Sequence, residues 1–309
     1  MTSSTVVISF IIPARNEEAS IKETIDSIRL YCRFSHEIIV VDHNSTDNTF
    51  LVAKEANVKV MKKVGGTIGS VRNKGATIAT GSVLIFLDAD VSLTTSWQDN
   101  ISEVLLAIKH DPLLLTGSHC SAPDDDGWLS KLWFSRFSQS ESTVHIGSGH
   151  LIMSRELFDR LEGFSEAIAT GEDYDICSRA KALGSQIVNA KLLKVVHRDY
   201  PKSLFGLIKR EAWHGLGDAW PPKKILQSKV AIATIIFIAL HFLLLLIVTT
   251  NIVPLFFIAL PIGLITTLIL LSSFVKFKHN GYKLVLFNTL IFYFYYLGRS
   301  ASFIMRAIK

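Results

Sequence analysis

Cysteine is scarce in this 309-residue chain: Cys32, Cys120 and Cys177 are the only three, and no pair has CxxC spacing. An odd number at wide spacing argues against a disulfide framework or a zinc site and suits a reducing compartment. No GxGxxG follows the first apolar run; Pro13-Ala14-Arg15-Asn16 stands there, which sets aside a dinucleotide oxidoreductase. There is no Arg-rich helix and no basic–aromatic interleaving, so a net charge of +5 and a pI near 9.0 do not point to nucleic acid. The opening MTSSTVVISF lacks both a basic n-region and a long apolar run, and reads as a first strand, not a signal peptide.

Charge is also nearly missing from the C-terminal part. Up to about Asp218 apolar, polar and charged residues mix as in a soluble domain; after about Ser228 the chain is overwhelmingly apolar, and the mean hydropathy of +0.35 is a property of that tail. Residues 230–250 hold one histidine and no formal charge. At ~1.5 Å per residue they cover roughly 30 Å, one bilayer core. After a short turn at Asn251, residues 252–275 form a second span. Lys223, Lys224 and Lys229 precede the first span and Lys276, Lys278 and Lys283 follow the second, which puts both clusters, and the N-terminal domain, on the cytoplasmic side. The expected location is a bacterial inner membrane. Residues 283–304 read as a third span or a membrane-surface helix, because Arg299, Arg306 and Lys309 oppose a crossing. Residues 201–220 set Leu204, Leu207, Ile208, Trp213, Leu216 and Trp220 among Lys and Arg, the pattern of an amphipathic interfacial helix. The expected organisation is a catalytic domain over 1–200, an interfacial linker over 201–227 and a membrane region over 228–309.

Within the first 200 residues strands and helices alternate. Val6–Ile12, Glu37–Val41, Val58–Met61 and Val83–Leu87 read as strands; helices follow over Glu18–Cys32, from Ser45 or Asp47 to Ala56, and over Val71–Ala79. Further strands are expected at Leu113–Thr116, Leu151–Met153 and Lys191–Val196, and a helix at Asp173–Leu183. This is an α/β pattern with a mostly parallel, Rossmann-like sheet. Ligands of such sheets bind at the carboxyl ends of the strands. Asp42 and the Asp88/Asp90 pair stand at those ends.

Two carboxylates at i and i+2 in a sharp turn can converge on a hard cation such as Mg2+ or Mn2+. A lone DxD also occurs as a solvated turn. Here it is accompanied by SFIIPARNEE (Ser9–Glu18), VVDHNSTDNT (Val40–Thr49), the stretch Gly66–Asp90 and GEDYDICSRAKALG (Gly171–Gly184), preceded by Gly147–Phe164. In this order the segments resemble glycosyltransferase family 2, inverting enzymes with the GT-A fold, over about residues 6–200.

The resemblance implies site residues one by one. Pro13, Ala14 and Glu17 match positions lining the nucleoside pocket. Asp42 matches the carboxylate that meets the base or ribose, although by itself it could cap the next helix. Arg72 matches the basic residue beside the nucleotide. Asp88 and Asp90 match the DXD motif, with Asp90 the direct metal ligand. Asp173, in the Glu172-Asp173 pair, matches the catalytic base, and His197 a further metal ligand. It also implies a nucleotide-sugar donor, Mg2+ or Mn2+, and, given the tail, a lipid acceptor. Two departures stand out. His43 sits where Asp, Asn or Gly is frequent in the family. Lys209-Arg210-Glu211-Ala212-Trp213 keeps only the Trp of the QxxRW motif of processive synthases. The expectation is therefore transfer of a single sugar, with a processive synthase and an inactive nucleotide-binding scaffold as the alternatives. His145, His150 and His214 are possible acceptor-site residues with ordinary structural roles as the simpler reading; His241 is expected to face a protein interior or an interface.

Overall fold

The computed structural model describes residues 8–123, 127–134, 145–217, 225–226, 228–250, 254–278 and 281–307. Parts of the expectations at residues 6–7, 218–224 (with Trp220, Lys223 and Lys224), 251–253 and 308–309 lie outside the described residues, as does the Arg306 side chain. The chain forms two compact units, Met1–Asp125 with Phe137–Tyr200, and Asp126–Arg136 with Pro201–Lys309.

The first unit is an α/β sandwich. It opens with β1 (Ile8–Ala14), α1 (Ile21–Tyr31), β2 (His36–Asp42), α2 (Thr49–Glu55), β3 (Lys59–Lys62), α3 (Ile68–Ile78) and β4 (Val83–Leu87). It continues through β5 (Val91–Leu93), α4 (Thr95–His110), β6 (Leu115–Gly117), β7 (His150–Ser154), α5 (Arg155–Arg160), α6 (Glu172–Ala182), β8 (Ile187–Asn189) and β9 (Val195–His197). The main sheet has the order β3-β2-β1-β4-β7-β6-β8, and only β7 runs against the rest. Strands β1 and β4 are apolar at nearly every position because both faces of the sheet are covered. On one face Ile8, Phe10 and Ile12 pack with Ile21, Ile25 and Ile28 of α1 and Trp97, Ile101 and Leu105 of α4. On the other, Ile11, Leu84 and Phe86 pack with Val71 of α3 and Ile176 and Ala180 of α6. Gly75 lets α3 settle onto the sheet: a Cβ there would lie 2.5 Å from Ile11 Cγ2.

Several expected boundaries shift, for local reasons. Helix α1 starts at Ile21, because Glu18 is taken up in the preceding loop, where its carboxylate accepts from Asn48 N and Nδ2. Helix α2 starts at Thr49 behind Asn48, whose side chain makes no capping bond; Ser45 accepts from Asn16 N, while Asp47 accepts from both Glu18 N and Thr49 N. Helix α3 starts at Ile68 behind Thr67, whose hydroxyl accepts from Ser70 N. The strand expected from Lys191 shortens to β9, since residues 190–194 form tight turns.

The second unit is helical. It comprises a π-helical turn (Ser130–Phe134), α7 (Leu204–Gly215), α8 (Lys229–Thr250), a 3-10 turn (Leu255–Ile258), α9 (Ala259–Phe277) and α10 (Tyr282–Ala307). Two helical segments, Lys229–Thr250 and Phe256–Phe277, are long and apolar enough to cross a membrane, with mean hydropathies of 2.9 and 2.3. Only 22% and 17% of their most apolar stretches are buried, unlike the core helix of a soluble protein. The third apolar segment is one helix of 26 residues, interrupted by Asn288 and Arg299. Helix α7, expected as an amphipathic interfacial helix, packs along α10 and keeps Phe205 and Trp213 exposed. Its Glu211 is buried and paired with Arg299 at 2.9 Å. The axes approach through glycine: a Cβ on Gly298 would lie 2.7 Å from Ile208 O, and one on Gly215 2.4 Å from Ser302 Oγ. As expected, His241 faces protein, bonded to Phe237 O and Tyr293 Oη at 2.8 and 3.2 Å. Trp133, which the sequence placed in the first domain, is buried here among Phe277, Phe292 and Tyr295.

Candidate active site

The carboxyl ends of β1, β2 and β4 carry the polar residues that the sequence singled out. Pro13 and Ala14 end β1 in register with Val41 and Asp42. Asp42 is buried and accepts from Ser45 N at 3.3 Å, so it orders the β2–α2 loop and does not cap α2. Glu17 follows in the β1–α1 loop, its amide donating to Thr49 Oγ1 at 2.7 Å and its carboxylate accepting from Ser20 Oγ at 2.6 Å. Burial raises the Glu17 carboxyl above its ordinary value, and Asp199, Asp88 and Asp47 add to this.

Sequence reasoning missed the residues that tie these two loops together. Asn16, in the left-handed region at φ 59°, accepts from Thr46 N at 2.8 Å, while its own amide donates to Ser45 Oγ. The only available signal was an Asn near each strand end, since Asn tolerates positive φ; Asn44 adopts it too.

The Asp88-Ala89-Asp90 turn is fixed from several sides. Asp88 N donates to Gly149 O, Thr24 Oγ1 to Ala89 O, and Arg198 N to Asp90 O. The last bond belongs to a small two-stranded sheet in which β5 pairs with antiparallel β9, setting Val91 opposite His197. This pairing brings His197 Nε2 to 3.3 Å from Asp90 Oδ2, and the imidazole stacks on Tyr200 with centroids 4.5 Å apart. Asp88, Asp90 and His197 each offer a donor atom, all within 4.8 Å of one another. Bonds of roughly 2.1–2.4 Å from a divalent cation span that distance, and carboxylates are its natural partners. Asp90 is buried, and that burial, with Asp88 and Glu17 nearby, pushes its carboxyl up to about 8. A turn this rigid that gathers negative charge which it cannot solvate fits a bound cation.

Arg72 of α3 is the hub. Its guanidinium donates to Asp88 Oδ1 and to Glu172 Oε1, both at 2.8 Å, and Nε has no partner among the described residues. Glu172 and Asp173 open α6 behind Gly171, whose φ of 84° suits glycine. Burial raises the Glu172 carboxyl against the pull of Arg72, and Ser148 Oγ donates to it at 3.1 Å. Burial alone would raise Asp173 as well, but His145, whose Nε2 is 3.1 Å from Asp173 Oδ2, holds it below its usual range. Glu172 is thus joined through Arg72 to Asp88, with Asp173 next to it in sequence.

Two other histidines have structural places. His150 is fully buried: Trp97 Nε1 donates to its Nε2 at 3.0 Å, Ser118 Oγ lies 2.8 Å from Nδ1, and burial takes its pKa down to about 3. His214 accepts from Arg210 Nε within α7. A cavity of about 850 Å3 opens near Thr80, Val83, Ile108 and Arg155, at the opposite end of β4. Arg155 spends its donors there on the carbonyls of Gly81, Ala76 and Ala79, and Lys109, Glu156, Asp159 and Arg160 add charges of both signs to the lining.

Comparison with known proteins agrees with this arrangement. The Glycosyl transferase family 2 profile matches residues 9–162. The amylovoran biosynthesis glycosyltransferase AmsB of Erwinia amylovora is 25% identical over 202 residues, 58% of this chain and 65% of that protein. The glycosyltransferase AglE of Haloferax volcanii is 24% identical over 233 residues, 70% of this chain and 74% of that one. The chain thus spans slightly less than two thirds of AmsB. Among solved structures, the mannosyltransferase PcManGT of Pyrobaculum calidifontis, in complex with GDP-Man and Mn2+, superposes with a TM-score of 0.61 at 18% identity, covering 98% of this chain and 88% of that one. At that identity the likeness concerns the fold, which is GT-A.

Proposed function

We propose that this chain, which belongs to glycosyltransferase family 2 and is a nucleotide-sugar-dependent glycosyltransferase, moves one sugar with inversion from its donor to a lipid acceptor. The observation that carries the proposal is the linked set Asp88, Asp90, His197, Arg72, Glu172 and Asp173 at the strand ends. Pro13, Ala14 and Asp42, at the ends of β1 and β2, and Glu17, on the loop after β1, line the nucleoside. Asp88, Asp90 and His197 would hold a divalent cation, and their imidazole would favour the softer Mn2+ over Mg2+. When bound, such an ion would supply positive charge against the departing diphosphate. Arg72 faces the same charge with its unpartnered Nε–H, while Glu172 and Asp88 fix its guanidinium. Asp173 supplies the basicity that deprotonates the acceptor, and one displacement needs one base.

Two apolar helices, largely unburied, support anchoring in a membrane with the catalytic domain in the cytoplasm, and hence an acceptor presented by lipid. The incomplete QxxRW motif supports single transfer. The test is incubation of detergent-solubilised protein with tritiated UDP-glucose, UDP-N-acetylglucosamine and GDP-mannose, Mn2+ and membrane lipid extract. Label from one donor should pass into the organic-soluble fraction as a single-sugar product. Label that stays wholly water-soluble, or that enters a growing polymer, contradicts the lipid-acceptor or the single-transfer reading respectively.

A further inference from the structure

The acceptor side of the site has only its base assigned. Asp173 stands second in α6, and Tyr174 follows it with 60% of its surface exposed. Single exposed aromatics are ordinary on a protein surface, but this one is tied to the base twice. Its amide donates to Asp173 Oδ1 at 2.8 Å. Its ring centroid lies 6.1 Å from that of His145, whose Nε2 is 3.1 Å from Asp173 Oδ2. Carboxylate, imidazole and phenol are therefore neighbours, each partly open to solvent. The two bonds to Asp173 still leave it free to work, because each carboxylate oxygen carries two lone pairs. Burial acts to raise its carboxyl, yet His145 keeps it below its usual range, in the ionised form that accepts a proton.

The charge at the start of α6 narrows what the acceptor can be. Glu172, Asp173 and Asp175 crowd its first turn. Two arginines serve them, and both are engaged. Arg72 is shared by Asp88 and Glu172, and Arg179 by Asp175 and the carbonyls of Leu161 and Gly163. A phosphate brought to Asp173 would meet like charge, which is costly where water is partly excluded. A neutral hydroxyl would not. A pyranose ring combines such hydroxyls at its rim with an apolar C–H face, and an exposed tyrosine ring is an amphipathic surface on which that face can pack.

We infer that Tyr174 is the platform of an acceptor subsite for a pyranose ring, which packs on the phenol and turns one hydroxyl to Asp173, so that the acceptor is a lipid already carrying a sugar. This rests on the transferase reading above and keeps Asp173 as the base. In the step, the hydroxyl oxygen of the acceptor sugar bonds to the anomeric carbon of the donor as its proton passes to Asp173. The bond from that carbon to the diphosphate oxygen breaks, and its electron pair leaves with the nucleoside diphosphate. Tyr174 takes no part in the proton transfer; it sets which hydroxyl the carboxylate meets.

The test uses the full chain in detergent with tritiated UDP-glucose, UDP-N-acetylglucosamine and GDP-mannose, Mn2+ and membrane lipid extract. Glycan released from the labelled lipid should carry the label joined to a second sugar, as read by methylation analysis. Label released as a lone monosaccharide, whether from a phosphate or from a lipid hydroxyl, overturns the inference and leaves the transferase reading intact. The second readout is kinetic. Tyr174→Ala should raise the KM for the lipid acceptor about tenfold, the size of one aromatic stacking contact, with a smaller change in kcat. Tyr174→Phe and Tyr174→Trp should stay close to the wild type. All three should bind Mn2+ and nucleoside diphosphate as the wild type does, which establishes that they fold. An unchanged acceptor KM in Tyr174→Ala, or a rise in Tyr174→Phe equal to that in Tyr174→Ala, overturns the platform. Failure of the wild type to release nucleoside diphosphate from any of the three donors removes the transferase reading, and the inference with it.

Discussion

Each unit sets an arginine against a buried carboxylate, Arg72 with Glu172 and Arg299 with Glu211, and the two bridges differ in purpose. Arg72 joins Asp88 and Glu172 at the ends of parallel strands, beside Asp90, and Asp88 keeps a third of its side chain exposed. Arg299 meets Glu211 where α10 crosses α7 at Gly298 and Gly215, with no metal-ligand cluster around it among the described residues. The first bridge leaves an excess of negative charge facing an opening; the second ties two helices. A buried ion pair is weak evidence of stability in itself, since desolvation offsets much of the attraction. What separates a site from a brace is the unmatched charge around it.

The largest effect should follow from removing that unmatched charge. Asp90→Ala is expected to abolish Mn2+-dependent donor binding and to lower turnover by at least about 10³-fold, roughly 4 kcal/mol of transition-state stabilisation, measured by calorimetry and by nucleoside diphosphate release. If the variant binds donor normally, the acidic turn is a second brace. Next, Asp173→Asn should keep donor binding and lose about 10²–10⁴-fold in transfer to a hydroxyl acceptor. On the bracing side, Glu211→Ala removes the buried carboxylate that pairs with Arg299 and should destabilise the helical unit by about 3 kcal/mol. Limited proteolysis would show the loss there, while nucleotide binding by the first unit persists. A variant that loses binding first would break the comparison. Smaller still, Mn2+ at a hundredfold excess over its dissociation constant should stabilise the protein by about 2.7 kcal/mol, as a raised Tm that Asp90→Ala lacks and Glu211→Ala retains. Last, His150 titrates near 3 when folded and near ~6.5 when unfolded. Its contribution is complete above ~6.5 and is lost as the pH falls, about 2 kcal/mol between pH 6.5 and 5. Denaturant melts of wild type and His150→Gln at those two pH values measure it.

The sequence carried the parts of this structure that are local or periodic. Strands β1, β2 and β4 were legible because each is a run of apolar residues ended by a polar or cyclic one, and both faces of the sheet are covered. The site residues were placed by motif order. What could not be read was set by distant partners. Arg72 finds Glu172 a hundred residues away, and Glu211 finds Arg299 eighty-eight away. His145 meets Asp173 across a stretch with no regular spacing. The β5–β9 pair has three residues on each side, too few for any alternation to register, yet it delivers His197 to Asp90. Nothing local to Trp133 announces Phe277, Phe292 and Tyr295, which surround it in the fold.

The most direct measurement is nucleoside diphosphate release from a panel of nucleotide sugars by solubilised protein with Mn2+, with and without membrane lipid, alongside Asp90→Ala. The account predicts release from one donor, stimulated by lipid and absent in the variant. Release that is equal in the variant, or absent for every donor in the wild type, would contradict it.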